Sequence, residues 1–472
     1  MGKKGRKKRN LIGIVLVILM GLVVWSLVST QYKWKYSDSG LAEYKKGNFQ
    51  EAIENYARAI ESNPDDASLY NNRGLAYAGL KEYEKAISDY DKAIELKPDY
   101  AVAYCNRGLS YFKKGSWGNK DPYKRAISDF SKAIELDPDY VDAYYNRGLA
   151  YNKFVHYYSK PFSAEDEDKY NKAIADFDKV IELNNSYVLA LAGKANAIYR
   201  YGNWEEAEKL YNKALQHERE IIARVGSKGL AGVYYSRGRN YMNFIDIRKA
   251  LSDFKKVIEL EPDNDAAFTY IAIINLELEQ YEEAIRYANK KIELEGSKKD
   301  SNYYSTLGKC HYGLGEYDKA IANLKRALDL PLRHGSKESL RRWLGKAYKE
   351  SREMEKAKEQ LQKAVELLSK RIQTGRNGYT NYQERGLCYI ELEQYDKAIS
   401  DFKKVISLKE KTDRRVYYWN SYLEAHKNVG ITYSKMGNKE KAKEYFQITI
   451  KLAEERGNNR VIEKTQKLLA EL

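Results

Sequence analysis

The sequence predicts an all-α superhelical solenoid of about eleven helix hairpins, preceded by one transmembrane helix. Three observations carry this. The chain matches itself when shifted by 34 residues, a period that belongs to repeat architectures. Charged residues make up 32% while only 7 residues are proline, a balance suited to many amphipathic helices with polar outer faces. One uncharged apolar stretch near the start is about as long as a bilayer is thick.

The N-terminal element comes first. Residues 1–10 form a basic cytoplasmic segment carrying Lys3, Lys4, Arg6, Lys7, Lys8 and Arg9. From Leu11 to Val28 only Ser26 interrupts an apolar run, and at a rise of about 1.5 Å per residue it spans about 27 Å. A helix satisfies its own backbone in lipid, so residues 11–30 read as a transmembrane signal anchor in contact with the lipid bilayer. Trp25, Tyr32 and Trp34 lie at its outer end, where aromatic rings favour the interface. A cleaved signal peptide is the rival, but Ser29-Thr30-Gln31-Tyr32 offers no small-x-small cleavage site. Arg6 stands where myristoylation needs Ser or Thr. The more basic flank stays cytoplasmic, so at a plasma membrane the repeats lie outside the cytoplasm. On an organelle outer membrane the same anchor leaves them in the cytosol.

The repeats follow, over residues 31–456. Tyr70-Asn71-Asn72-Arg73-Gly74-Leu75-Ala76-Tyr77 returns as Tyr104-Cys105-Asn106-Arg107-Gly108-Leu109-Ser110-Tyr111 and as Tyr144-Tyr145-Asn146-Arg147-Gly148-Leu149-Ala150-Tyr151. Later copies carry Arg237-Gly238, Leu307-Gly308, Leu344-Gly345, Arg385-Gly386 and Val429-Gly430. An alanine recurs twelve residues after the glycine, and an aromatic or leucine four residues later, as in Ala86 and Tyr90 or Ala398 and Phe402. Pro64, Pro98, Pro138 and Pro262 fall at the closing position, where a helix must stop. Here the chain resembles the tetratricopeptide-repeat family, whose 34-residue pattern is a large residue, Leu-Gly, Tyr, then Ala, Phe and Pro. The resemblance implies helix hairpins in which Gly and Ala mark the closest approach and the aromatics fill the gaps beside them. No single hairpin buries its apolar face alone, so neighbours must stack. Eleven repeats begin near residues 33, 67, 101, 141, 188, 231, 265, 301, 338, 379 and 423, and residues 457–472 read as a capping helix.

Spacing breaks near Ser116–Tyr123, within Phe154–Tyr170 with its run Glu165-Asp166-Glu167-Asp168, and at Glu220–Leu230, Arg371–Gly378 and Asp413–Tyr422. Insertions between stacked units are expected to be loops at the edge of the array, either contact loops or tolerated surface.

Five repeats put arginine just before the glycine, Arg73, Arg107, Arg147, Arg237 and Arg385. The same five carry an aspartate before the aromatic of the second helix, Asp89, Asp129, Asp176, Asp253 and Asp401, and the other six have neither. Copies within one chain serve as their own comparison set, so the correlation predicts a salt bridge inside each of these hairpins. Arginine suits it, because its planar fork holds a carboxylate bidentately. The alternative is a row of arginines offered to an acidic ligand.

No residues point to catalysis. Among His156, His217, His311, His334 and His426 no pair has metal-ligand spacing, and no phosphate-cradling glycine loop or Gly-x-Ser-x-Gly elbow appears. Cys105, Cys310 and Cys388 are odd in number and far apart, so they read as small core residues. The expectation is therefore a membrane-anchored scaffold or adaptor with no cofactor, whose partners are proteins or peptides. The family resemblance places ligands in a concave groove lined by the first helices, at positions 2, 5, 6 and 9 of each repeat. Mapped residue by residue, that implies Asn72, Asn106 and Asn146 in one stretch and Lys309, Arg342 and Lys346 in another. The asparagines could hold an extended backbone or bond between repeats. The cations favour an acidic segment. Family members that grip a chaperone's terminal carboxylate use Lys and Asn in the first repeat and Lys and Arg in the third. This chain offers Ser37, Leu41, Val102 and Asn106 there, which puts that clamp in doubt. The alternative reading is an organelle-surface receptor for targeting sequences or chaperone tails. An RNA-binding helical repeat lacks a visible basic groove, so no nucleic-acid partner is expected.

Overall fold

The structure, a computed structural model, describes residues 35–116, 119–154, 164–201, 203–244, 246–295, 300–331, 336–375, 378–409, 416–455 and 457–472. The basic segment 1–10 and the anchor 11–30 lie outside the described residues. Among the described residues there is no strand, and no helix is long and apolar enough to cross a membrane.

The chain divides after Ala197 into two units, and each is an α-solenoid. The first holds α1 (residues 35–46), α2 (Phe49–Ser62), α3 (Ala67–Gly79), α4 (Tyr83–Leu96), α5 (Ala101–Lys114), α6 (Asp121–Leu136), α7 (Val141–Phe154), α8 (Ala164–Leu183) and most of α9 (Leu189–Tyr201). The second continues with α10 (Trp204–Leu215), α11 (Glu218–Phe244), α12 (Ile247–Leu260), α13 (Asp265–Glu277) and α14 (Tyr281–Glu295). Then come α15 (Ser301–Gly313), α16 (Tyr317–Asp329), α17 (Lys337–Glu350), α18 (Met354–Gln373) and α19 (Gly378–Glu391). It ends with α20 (Tyr395–Lys409), α21 (Val416–Lys435), α22 (Lys439–Glu454) and α23 (Asn459–Ala470).

Each second helix buries one stripe. In α2 the buried residues are Ala52, Ile53, Tyr56, Ala59 and Ile60, the spacing of a single helical face. The glycine of the first helix meets the aromatic of the second. A Cβ on Gly74 would lie 2.7 Å from the Tyr90 ring, and one on Gly386 would lie 2.7 Å from Phe402. Any larger residue would force the two helices apart, so the glycines set the hairpin's closeness. Within a hairpin the chain turns through one residue of positive φ, which is Gly47, Gly315 or Gly437 in three copies and Lys81, Glu279, Arg352 or Glu393 in four. Side-chain caps start several helices, as where Asp66 accepts from the Ser68 amide and Ser336 from the Ser339 amide.

Several expected loops are helix instead. Glu165, Asp166 and Glu167 form the first turn of α8, where carboxylates oppose the positive end of the helix dipole. Residues 220–230 lie within α11, which is broken only at Gly226 with φ 71° and ψ 178°. α18 runs on to Gln373, and α21 begins at Val416, inside the stretch read as a connection. In these segments the extra length is taken up as extra helical turns.

Candidate functional site

The hairpin arginines show the most regular geometry. Nη2 of Arg73, Arg107, Arg147, Arg237 and Arg385 lies 2.7, 2.6, 2.7, 2.6 and 2.7 Å from Oδ1 of Asp89, Asp129, Asp176, Asp253 and Asp401. Nε donates to the second carboxylate oxygen at 2.8–2.9 Å in every copy, so each pair is bidentate. The Asp side chains are 4–9% exposed and the Arg side chains 18–21%. Burial pushes Asp129, Asp176 and Asp253 up from the ordinary carboxylate range, against the pull of their arginines. With Nε and Nη2 of each arginine donated to its aspartate, the row has little to offer an acidic ligand.

In the first unit, two of the three candidate asparagines, Asn72 and Asn106, join through Asn71. Asn106 Nδ2 donates to Asn71 Oδ1 at 2.9 Å, and Asn71 Nδ2 donates to Asn72 Oδ1 at 3.2 Å. Asn146 acts on the Cys105 thiol, which burial pushes up to about 12. The amides thus link neighbouring repeats, and a peptide would have to displace those bonds. Cys310 and Cys388 are likewise buried, with thiols pushed up to about 12, so none of the three is a ready nucleophile.

The second unit places Lys309 of α15 with Arg342 and Lys346 of α17 around the Trp343 ring. The ring centroid lies 5.7 Å from Lys309 Nζ, 5.6 Å from Arg342 Cζ and 4.7 Å from Lys346 Nζ. Lys346 also sits 5.0 Å from the Tyr312 centroid. Arg342 Nε donates to Glu384 Oε2 at 3.1 Å, and Lys346 Nζ stands 4.0 Å from Glu391. Among the described residues Lys309 has no ion-pair partner. Its pKa is lowered by burial and by the Arg342 guanidinium beside it, with Glu384 and Glu277 acting the other way. Lys346 is lowered too, first by burial. Three cations thus gather around two aromatic rings, and one of the cations, Arg342, is already engaged by Glu384.

Models of the tetratricopeptide repeat match residues 38–101, 163–220, 235–296, 301–330, 343–367, 379–412 and 423–455, and a TPR repeat model matches 122–153. The chain belongs to the tetratricopeptide-repeat family. A TPR repeat-containing protein of Methanocaldococcus jannaschii is 24% identical over 226 residues, 48% of this chain and 33% of that protein. Heat shock protein STI1 of Saccharomyces cerevisiae is 32% identical over 101 residues, 21% of this chain and 17% of that one. The chain therefore spans a third or less of these relatives. Among solved structures, yeast Tom70 is 15% identical, with 93% of this chain and 95% of that one covered and a TM-score of 0.42. MamA protein is 26% identical over 42% of this chain and 97% of that one, with a TM-score of 0.33.

Within this TPR chain the structure adds residues that sequence reasoning missed. Each hairpin arginine lies over a tyrosine three residues earlier, with Arg107 Cζ 5.3 Å from the Tyr104 centroid and Arg147 5.5 Å from Tyr144. Its remaining nitrogen often reaches the preceding repeat. Arg107 Nη1 meets Asp91 at 2.6 Å, Arg147 Nη1 donates to Ser131 at 3.1 Å, and Arg385 Nη1 donates to Ser369 at 2.9 Å. All three partners stand 16 positions before the arginine, a spacing visible in the sequence. In the fifth repeat Lys194 meets Asp178 at the same spacing, 2.6 Å away. These TPR arginines therefore tie three helices together, two of one hairpin and one of the hairpin before.

Proposed function

We propose that this chain is a membrane-held scaffold that catalyses nothing and binds other proteins, with an acidic segment of the partner taken against Lys309, Arg342 and Lys346. The single observation behind this is Lys309. A lysine without an ion-pair partner, enclosed enough to lower its pKa, costs stability that a structural role does not return. A bound carboxylate would supply the missing partner. Trp343 and Tyr312 would pack against the apolar atoms next to it.

A fluorescent peptide of alternating Glu and Leu, titrated with residues 35–472, tests the reading by anisotropy. The affinity should fall about tenfold in Lys309→Met, roughly the 1.4 kcal/mol of one lost charged contact. It should fall similarly when the peptide's Glu are replaced by Gln. Equal binding of the Glu and Gln peptides would end the proposal. The apolar residues 11–30 would hold the scaffold in a membrane, basic flank inside. Protease added to intact cells, or to intact organelles, should remove the repeats only on the side where they are displayed. That result separates an extracytoplasmic scaffold from an organelle-surface receptor.

A further inference from the structure

The cations of α15 and α17 differ in what already pairs with them. α17 presents Arg342, Lys346 and Lys349, and α19 sets Glu384, Glu391 and Glu393 against them at 3.1, 4.0 and 3.1 Å. Lys349 Nζ also donates to the Glu391 carbonyl at 3.4 Å. These two first helices are matched charge for charge. Lys309 of α15 shares the Trp343 ring with Arg342 and Lys346, which are cations like itself. The other charges that act on these residues come as opposites. Glu277 acts on Lys309 and is itself held by Arg460, while Glu350 and Lys435 act on Lys346 in contrary senses. Among the described residues, one positive charge is therefore left unmatched, and it stands at Lys309.

The hold on Arg342 also differs from that on the hairpin arginines. Each of those gives Nε and Nη2 together to one aspartate, whereas Arg342 gives Nε alone to Glu384. The two side chains are 11% and 23% exposed, so solvent and salt screen this pair little. A ligand's first carboxylate would gain the charge of Lys309. A second carboxylate next to it would find a glutamate already beside each remaining cation, and would meet those glutamates as like charges in a poorly solvated place.

We propose, resting on the binding reading above, that this site takes one carboxylate flanked by apolar atoms and rejects a run of acids, and that Glu384 sets the limit. The partner's segment then carries an isolated Asp or Glu among apolar residues. Trp343 and Tyr312, edge-on with ring centroids 5.5 Å apart, pack against the apolar part.

Three fluorescent, end-blocked peptides test this against the full chain by anisotropy: one Glu between leucines, two adjacent Glu between leucines, and Gln between leucines. The native chain should bind the one-Glu peptide about tenfold more tightly than the Gln peptide, and the two-Glu peptide no more tightly than the one-Glu peptide. In E384Q the two-Glu peptide should become the better ligand by about tenfold, because Arg342 is released to the second carboxylate. E391Q should shift the preference the same way but less, since Glu391 stands 4.0 Å from its cation. A native chain that prefers two Glu overturns the one-carboxylate limit. A preference unchanged in E384Q, with a melting midpoint near the native one, overturns the role of Glu384. Should E384Q fail to fold, an unchanged preference in E391Q overturns the proposal instead. Equal binding of the one-Glu and Gln peptides by the native chain ends the site reading itself, a result distinct from the loss of selectivity alone.

Discussion

Replacing Arg147 with methionine should cost about 3 kcal/mol, the low end of what stranding one member of a buried pair costs. Asp176 is 6% exposed and takes two hydrogen bonds from Arg147, at 2.7 and 2.9 Å. Methionine keeps the packing over Tyr144 and loses both bonds, the charge and the link to Ser131. The low end applies because the Arg147 side chain is 20% exposed, so water partly replaces it. The double variant R147M/D176L should recover to within about 1 kcal/mol of the native chain, because an apolar pair of similar volume has no stranded charge. Hydrogen exchange at α7 and α8 is the suitable assay, since a repeat array unfolds piecewise and a single global midpoint would blur the effect. The pH dependence has a definite sign. In R147M the buried Asp176, already pushed up in the native chain, loses the cation that held it down. Its folded pKa then exceeds the unfolded value of about 3.9, so the folded state binds the proton more tightly. The deficit should be full near neutral pH and shrink as pH falls through that raised pKa. A loss below 1 kcal/mol, or a double variant as damaged as the single one, would refute the argument.

Three further outcomes are expected. Gly74→Ala should destabilise by about 1–3 kcal/mol through collision with Tyr90, while Gly232→Ala in α11, where a Cβ meets nothing within 4 Å, should be neutral or gain up to about 1 kcal/mol; urea denaturation distinguishes the two. Lys81→Gly and Arg352→Gly should each raise thermal stability by up to about 1 kcal/mol, since φ there is 63° and 64°, and Gly437→Ala should lower it. Lys309→Met should stabilise by about 1 kcal/mol at neutral pH as it weakens peptide binding. The lysine's lowered pKa means its penalty is present while it is charged and fades as pH rises from the folded value towards about 10.4, so the two proteins should converge in alkaline solution.

What could be read from the sequence divides by range. The glycine–aromatic contacts lie within one hairpin, and many copies repeat them, so chance cannot imitate the pattern. The Arg–Asp pairs lie 16 residues apart in three copies and 22 or 29 where an insertion separates the helices. Comparison among copies survives that shift because the insertion leaves the hairpin's register intact. Residues 165–168 and 220–230, expected as loops, are helix, and the reason is local. Spacing measures how many residues are extra, and gives no information on whether they coil or extend a helix. The meeting of α23 with α12 and α13, through Glu463 with Arg248 and Arg460 with Glu277, was out of reach altogether. It depends on small rotations summed over several repeats, a property of the whole turn with no residue pattern of its own.

The cations beside the hairpin glycines fall into two kinds in most copies, visible once the hairpins are compared. Where an arginine precedes the glycine, its charge is spent inside the hairpin on an aspartate, and the residue two positions on is Leu75, Leu109, Leu149 or Leu387 in four copies and Arg239 in the fifth. In the eighth and ninth repeats that place is apolar, Leu307 and Leu344, and the second helix answers with Leu324 and Leu361 against the glycine. The hairpin then closes without charge. Two positions on stand Lys309 and Lys346 in place of leucine. A cation needed for cohesion sits beside its carboxylate at bidentate distance, whereas among the described residues these two have none closer than 4.0 Å. In the eighth and ninth repeats the hairpin closes without an internal salt bridge, and on the proposed reading Lys309 and Lys346 are the charges an acidic segment would meet. That reading also says where a ligand should fail to bind. Exchanging Lys309 and Lys346 for leucine should leave these hairpins folded, as leucine does at the same position in four others, and abolish recognition of an acidic segment. If that variant kept its affinity, the groove cations would be ornaments of a stable fold, and the partner would have to be sought on another face.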